Sequence, residues 1–483
     1  MNRPSSKFIH YYTHLFVLCL FVVGIVCSKF LMSMGILLGI ISLLIEGDFK
    51  AYYTNLKANR FFLAVLVFYG IHVFGMFWTE DIIEGLSDLK SKLTLVIVPL
   101  IVISRPLVLR KSYKAIISVF VLSLIITSMI NFISYHFYSS DFNFKDARDM
   151  SLFNSHIRFA IMIAFGLPLL YDLSRDNKKT RYLFIIPAIW FLYYTFVSQV
   201  LTGVVCLGAI FMTLLIFPLW LNKKYISLLF LSFSGIIICS LIFIGLKSTI
   251  VNEALPSVDN ESVKSAWQIR SKLSYDGKDN RNQALKYTLS RFLISKNYSM
   301  TGSGVDKLTK EEVRSIEKGM AHYSEMEGGF RGRIEGIRYQ LSHMSDPNGH
   351  SLLQRIEAWK VGASIFWSEP ILGVGTGDLI SSFKLKYKEL QTKLTPKNQI
   401  RAHNTYLTSL ITFGLIGLLS FLLLLFSSGI IQLQQKQLIG FIFLVIMMVT
   451  FFFEDTLETQ TGITLFAFFS ALFSLPIPGP STD

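Results

Sequence analysis

Apolar runs long enough to cross a bilayer recur along most of this 483-residue chain. Hydrocarbon offers no partner to a backbone N–H or C=O, so a segment that spans it folds as a helix or as part of a closed barrel. Runs near 20 residues fit helices, because a barrel strand needs only about 10. Twelve runs stand out, at roughly 11–27, 30–46, 61–78, 91–104, 114–133, 156–172, 183–199, 201–220, 226–246, 403–430, 438–453 and 461–477. The expected fold class is therefore all-α and polytopic, with about 12 transmembrane helices. Composition agrees: charged residues make up 16% of the chain, against about 25% in soluble proteins. A disordered chain, a disulfide scaffold and an ordinary soluble enzyme are excluded. The four cysteines, Cys19, Cys27, Cys206 and Cys239, sit inside apolar runs and read as packing residues rather than ligands.

The net charge is nonetheless +14, and its placement orients the chain. With the N-terminus inside, the short inside loops hold 16 Lys and Arg, in stretches such as RPLVLRKSYK and RDNKKTR. The short outside loops hold five: Lys29, Lys90, Lys92, Lys145 and Arg148. This is a positive-inside pattern, and it supports an even number of spans with both ends inside. The first run lacks a small-residue cleavage site, which favours a retained signal-anchor helix. Three regions follow: spans one to nine over 1–246, a large outward loop over 247–402, and spans ten to twelve with the tail over 403–483.

The loop carries 24 Lys and Arg against 17 Asp and Glu. Long translocated loops escape the positive-inside rule, so its excess charge is either ordinary solvated surface or a site for an anionic ligand. Residues 281–298 and 305–327 are rich in helix formers, and in 352–368 Leu353, Ile356, Trp359, Ala363 and Phe366 recur at helical spacing until Pro370 stops that helix. The turn Gly373-Val-Gly375-Thr-Gly377-Asp378 follows. With no strand before it, it is read first as a plain turn and only second as a phosphate cradle.

Several residues could carry chemistry. Arg401-Ala-His403-Asn404-Thr-Tyr406 stands where the loop re-enters the membrane, and nine residues separate Asn404 from Gly414 and then Gly417. A histidine side chain titrates near neutrality and can take a proton. An arginine adds a permanent cation with bidentate donors. The bland reading of the pair His403 and Tyr406 is an interfacial anchor. Arg355 and Trp359 are four apart on one helix face, either as an exposed Arg over an indole or as a phosphate site. Arg158 lies just inside the sixth run, where it either snorkels to the interface or has a partner and a function.

On these residues the sequence resembles the O-antigen ligase and polymerase superfamily of membrane glycosyltransferases. The signature is His403-Asn404, nine residues, then Gly414-x-x-Gly417. Arg355-x-x-x-Trp359, the following Pro370, Leu372, Gly373 and Gly375, and the closing Glu454-Asp-Thr-Leu-Glu458 match as well. The resemblance implies a mostly helical periplasmic loop, a bacterial inner-membrane location and a site facing the periplasm. It implies a glycan on undecaprenyl diphosphate as donor and the lipid A–core oligosaccharide as acceptor, with membrane lipids around the chain and no nucleic acid partner. It further implies no cofactor and no metal, because the lipid diphosphate is already an activated leaving group. His403 would be the catalytic base, and Arg355, Arg401, Arg158, Asn404 and Trp359 would bind diphosphate or substrate. Family members carry an arginine at the start of the eighth span. Here that stretch reads Ser198-Gln-Val-Leu201-Thr-Gly203, with Leu201 in the arginine's place. Arg158, Arg331 or Arg333 would have to stand in for it. The His-Asn-x9-Gly-x-x-Gly spacing favours a ligase over a polymerase. A transporter or flippase is the reading from another class, disfavoured because the candidate residues gather at one face and no duplicated half is visible.

Overall fold

A computed structural model of the chain describes residues 6–142, 144, 147–175, 181–224, 226–227, 260–280, 283–326, 332, 334, 347–348 and 351–476. Among these residues the regular structure is helical, with one isolated β-bridge between Lys278 and Ala284. The chain divides into two units. The first comprises Met1–Leu228, Gly362–Phe383 and Ala402–Asp483, and the second Leu229–Val361 and Lys384–Arg401. Residues 362–383, which sequence reasoning leaves in the loop, thus pack with the apolar helices.

The first unit contains α1 (Ser6–Cys27), α2 (Lys29–Glu46), α3 (Arg60–Phe74), α4 (Ile82–Ser104), α5 (Pro106–Phe137), α6 (His156–Ser174), α7 (Leu201–Leu221), α8 (Thr405–Gln434), α9 (Leu438–Thr450) and α10 (Gln460–Phe473). Among the described residues seven helices are long and apolar enough to cross a membrane: α1, α2, α3 with its 3₁₀ extension to Trp78, and α5 to α8. The protein is a polytopic helical membrane protein. The segments Arg181–Val197, α9 and α10 are apolar but shorter. The run 91–104 forms the second half of α4, whose first half carries Glu84, Asp88, Lys90 and Lys92. The expected ninth span, 226–246, lies mostly outside the described residues, as do Arg331 and Arg333. Among the described residues seven helices thus meet the demands of a bilayer core of about 30 Å, while the other described runs are shorter or, in α4, charged over the first half.

Local chemistry sets the helix ends. The Ser28 hydroxyl accepts from Leu31 N–H and starts α2, and Gly47 ends it in the left-handed region at φ 72°. The Asn59 side chain caps α3 and also donates to Ser474 Oγ at 2.8 Å. Pro106 opens α5 at a position that needs no N–H donor. The core between the helices is rich in phenylalanine: Phe165 packs on Phe120, Phe443, Phe469 and Phe473. Every residue of α10 from Thr461 to Phe473 is buried. A helix apolar on all sides belongs inside the protein, which explains how a helix this short is tolerated.

The longest membrane helix of the C-terminal part is broken. In α8, Phe413 (φ −130°, ψ 17°) and Gly414 (φ 63°, ψ −153°) leave helical geometry. A break inside hydrocarbon strands backbone groups unless protein supplies partners. Segment 370–378 supplies them. Val374 N–H donates to Ile411 O at 3.1 Å, Gly375 N–H to Thr412 O at 3.0 Å, and Leu415 N–H to Pro370 O at 2.9 Å. The segment is tied down at its far end as well. The Asp378 carboxylate accepts from Glu80 N–H and Asp81 N–H at 2.8 and 2.9 Å, and Thr376 Oγ1 donates to His72 O at 2.7 Å. Gly373 (φ 68°) and Gly375 (φ 100°) sit where only glycine turns freely.

The second unit has its own small core, in which Trp267, Tyr275, Leu289, Phe292 and Ile316 are all buried. Its helices Glu261–Arg270, Leu285–Ser295 and Lys310–Glu317 surround that core. The expected helix over 305–327 is interrupted, because Thr309 and Glu312 form a capping box that starts a new helix at Lys310. Burial works to raise the Glu312 carboxyl, but the Lys296 ammonium at 2.6 Å and Thr309 N–H outweigh it and hold it below the ordinary value.

A Cβ added at Gly414 would meet the carbonyls of Ile371 and Pro370, and the backbone there lies in a glycine-only region. Gly414→Ala should therefore lower unfolding stability in detergent by about 1–3 kcal/mol. Gly70→Ala, in α3 with open space around it, should leave stability unchanged or raise it by up to about 1 kcal/mol. Equal losses in the two variants would show that the break carries no special constraint.

Candidate active site

The C-terminal signature residues sit at the start of the broken helix. Ala402 is fully buried, His403 takes a left-handed backbone (φ 46°), and Asn404 returns to extended geometry (φ −151°). Asparagine and histidine are among the residues that tolerate such a turn. The Asn404 side chain accepts from Leu407 N–H at 3.0 Å and so caps α8. His403 is half-buried, and its buried Nδ1 has no hydrogen-bond partner among the described residues. The ring is thus not held by a hydrogen bond at that nitrogen, unlike His72, whose Nδ1 lies 2.9 Å from Phe68 O.

The turn after α9 packs against this helix start. Thr405 N–H donates to Phe451 O at 2.8 Å and its hydroxyl to Glu454 O at 3.0 Å, while Thr408 donates to Asp455 Oδ1 at 2.9 Å. Glu454 in turn lies 3.7 Å from the Arg158 guanidinium, with both side chains mostly buried. Arg158 therefore has a carboxylate partner rather than snorkelling freely, and its Nε is a buried donor with no acceptor among the described residues. Through Glu454 and Thr405, the structure brings Arg158 to the same helix start as His403 and Asn404.

Beneath this layer lies a second polar group that sequence reasoning counted only as topology. Lys92 is 3% exposed and pairs with Asp88 at 2.9 Å and with Glu458 at 2.7 Å. His72, Thr376, Thr405, Thr408 and Thr412 line a cavity of about 20 Å³ beside it, room for a water molecule. Asp88 and Lys92 four residues apart on one helix were the available signal. The third member, Glu458, comes from a distant stretch of chain.

Arg355, Trp359 and Arg401 belong to the second unit. Arg355 and Trp359 are both half-buried, one turn apart on the helix Ser351–Ser368. The segment leading to Arg401 is held firmly. Asn348 donates to Lys393 O and accepts from Thr395 N–H and Asn398 Nδ2, each within 2.9 Å. Tyr387 donates to Ile400 O at 2.9 Å, and burial pushes its phenol up to about 12, so it stays a neutral donor.

Residues 184–422 match the family described as O-antigen ligase. The chain carries an O-antigen ligase domain. No curated protein matches the chain. The O-antigen ligase segment contains Arg355, Trp359, Arg401, His403, Asn404, Gly414 and Gly417, while Arg158 and Glu454 flank it on either side. It makes this multi-pass membrane protein O-antigen ligase-like in function, a glycosyltransferase-like enzyme. Leu201, at the expected arginine position, is the first residue of α7, immediately after Gln199 in a left-handed turn (φ 54°) and Val200. The glycine turn 373–378 spends most of its N–H groups within the protein, with that of Gly373 donated to Glu369 O. Those of Val374, Gly375 and Gly377 are engaged with Ile411, Thr412 and Thr79.

Lys92→Met leaves Asp88 and Glu458 as two carboxylates without their cation, a change that costs about 3–5 kcal/mol when the site is buried. It should lower the unfolding free energy in detergent by that order. Adding Glu458→Gln on top should recover a large part of the loss. A double variant no better than the single would place the penalty elsewhere.

Proposed function

We propose that the chain is an O-antigen ligase that moves a glycan from undecaprenyl diphosphate to the lipid A–core oligosaccharide, at the periplasmic face of a bacterial inner membrane. The observation that carries this reading is the placement of His403 within the O-antigen ligase segment. It occupies a left-handed turn at the capped start of a membrane helix, with an unpartnered ring nitrogen and the Arg158–Glu454 pair bound to the same helix start.

In this reading His403 takes the proton of the acceptor hydroxyl. The hydroxyl oxygen forms a bond to the anomeric carbon while the bond from that carbon to the diphosphate oxygen breaks. Undecaprenyl diphosphate leaves, and direct displacement inverts the anomeric centre. Arg158, Arg355 and Arg401 neutralise the charge that develops on the diphosphate, and Trp359 and Asn404 complete the substrate-binding set. Glu454 holds Arg158 in place, so the guanidinium meets the donor from a fixed position. No cofactor or metal enters this scheme.

The polymerase reading shares the donor and the chemistry. Deletion of the gene separates the two on a lipopolysaccharide gel. Loss of a ligase leaves bare core with polymer held on the carrier lipid, whereas loss of a polymerase leaves core with one repeat unit. We expect the first pattern, and an unchanged ladder would sink both readings. His403→Ala, at normal membrane levels, should lower the transfer rate by about 10²–10⁴, the range of a lost general base. Full transfer by that variant would remove His403 from the chemistry.

A further inference from the structure

The second unit holds a groove that the transfer scheme does not use. Its cavity of about 580 Å³ lies between the helices Glu261–Arg270 and Lys310–Glu317. Four cations line it, Arg270, Lys272, Lys310 and Arg314, against one carboxylate, Glu317. Glu317 is already engaged, accepting from the Ser271 hydroxyl. Among the described residues Lys272, Lys310 and Arg314 have no ion-pair partner. Arg270 donates to the carbonyls of Val305, Asp306 and Leu308, and so is fixed in place with only the exposed Asp306 carboxylate, 3.8 Å away, against its charge. Leu273 and Val313 form an apolar part of the wall.

We propose that this groove binds an anionic saccharide, one bearing phosphate or carboxylate groups. Three observations select that chemistry. The excess of unpaired cations calls for a negative ligand and would attract it from solution. The volume falls within the 300–1,000 Å³ or so of sites for organic ligands, far more than a bare ion fills. The apolar wall beside the cations matches a sugar ring, which presents C–H faces between its polar edges. The arrangement also accounts for part of the charge excess of the loop as placed charge rather than general solvation. The anionic half of the proposal stands on the groove alone. The saccharide half rests on the glycan-transfer reading above.

The test uses the full-length protein in nanodiscs of neutral phosphatidylcholine, with trehalose 6-phosphate as probe and trehalose and inorganic phosphate as comparisons. Trehalose 6-phosphate should bind at least about tenfold more tightly than either. The double variant Lys310→Gln with Arg314→Gln should lose at least about tenfold of that affinity. Both side chains are exposed, so its melting temperature should stay unchanged. Equal binding by the variant, or inorganic phosphate binding as tightly as the sugar phosphate, would overturn the proposal. So would loss of the probe on exchange to phosphatidylglycerol nanodiscs, which would assign the groove to lipid headgroups. His403→Ala should retain this binding while losing transfer. If His403→Ala transfers normally, the transfer mechanism fails while the binding result stands.

Discussion

The break in α8 is the constraint on which the arrangement of the first unit depends. Nine residues separate Asn404 from Gly414, which at about 1.5 Å per residue puts the break some 15 Å below the helix start. That is about half the thickness of a bilayer core, where an unpaired carbonyl is most costly. The chain answers with segment 370–378, whose N–H groups reach Ile411 O and Thr412 O and whose Pro370 carbonyl receives Leu415 N–H. Non-helical backbone at such depth is tolerated only when buried in protein. Here it is held by α8 on one side and by the start of α4 on the other, through Asp378.

The polar layers above the break follow from it. The half-helix 405–412 is short, and its N-terminal turn is fastened by Thr405 to Glu454 and Phe451 and by Thr408 to Asp455. The segment 454–458 is held in turn by Lys92 through Glu458. One buried lysine on α4 thus steadies the loop that presents Glu454 to Arg158. The candidate residues Arg158, His403 and Asn404 of the first unit are thus placed by backbone contacts and buried charge, an arrangement suited to positioning chemistry.

Much of this was legible in the sequence, and the rest was not for physical reasons. Apolar runs located the helices because bilayer length is a strong constraint on composition. The residues His403, Asn404, Gly414 and Gly417 were found by their spacing. What they do structurally was hidden: Asn404 caps a helix, and Gly414 breaks one. The Gly373–Asp378 turn read as a plain turn, and it is one, but its partners on α8 and α4 lie some 35 and 300 residues away in sequence. Lys92 read as a topological cation because nothing local reveals Glu458, 366 residues on. Arg158 was flagged as costly, yet its partner Glu454 could not be chosen among the 32 acidic residues without the fold. The capping box at Thr309 was readable as Thr-x-x-Glu and divides what propensity alone presents as one helix.

The spacing of the His-Asn-x9-Gly signature thus acquires a mechanical meaning. A capped helix start and a glycine break bound a rigid rod of about two turns, the half-helix 405–412 at 3.6 residues per turn. Lengthening the rod by one residue would rotate the break by about 100° around the helix axis. It would then turn the carbonyls of Ile411 and Thr412 away from Val374 and Gly375. The histidine and the break are therefore coupled, although neither touches the other. The same rod carries a partial positive charge at its N-terminus, next to His403. An anionic donor approaching the helix start would meet that charge together with Arg158. On this view the glycines act through geometry, setting where the rod ends so that its beginning, with His403 and Asn404, stays fixed.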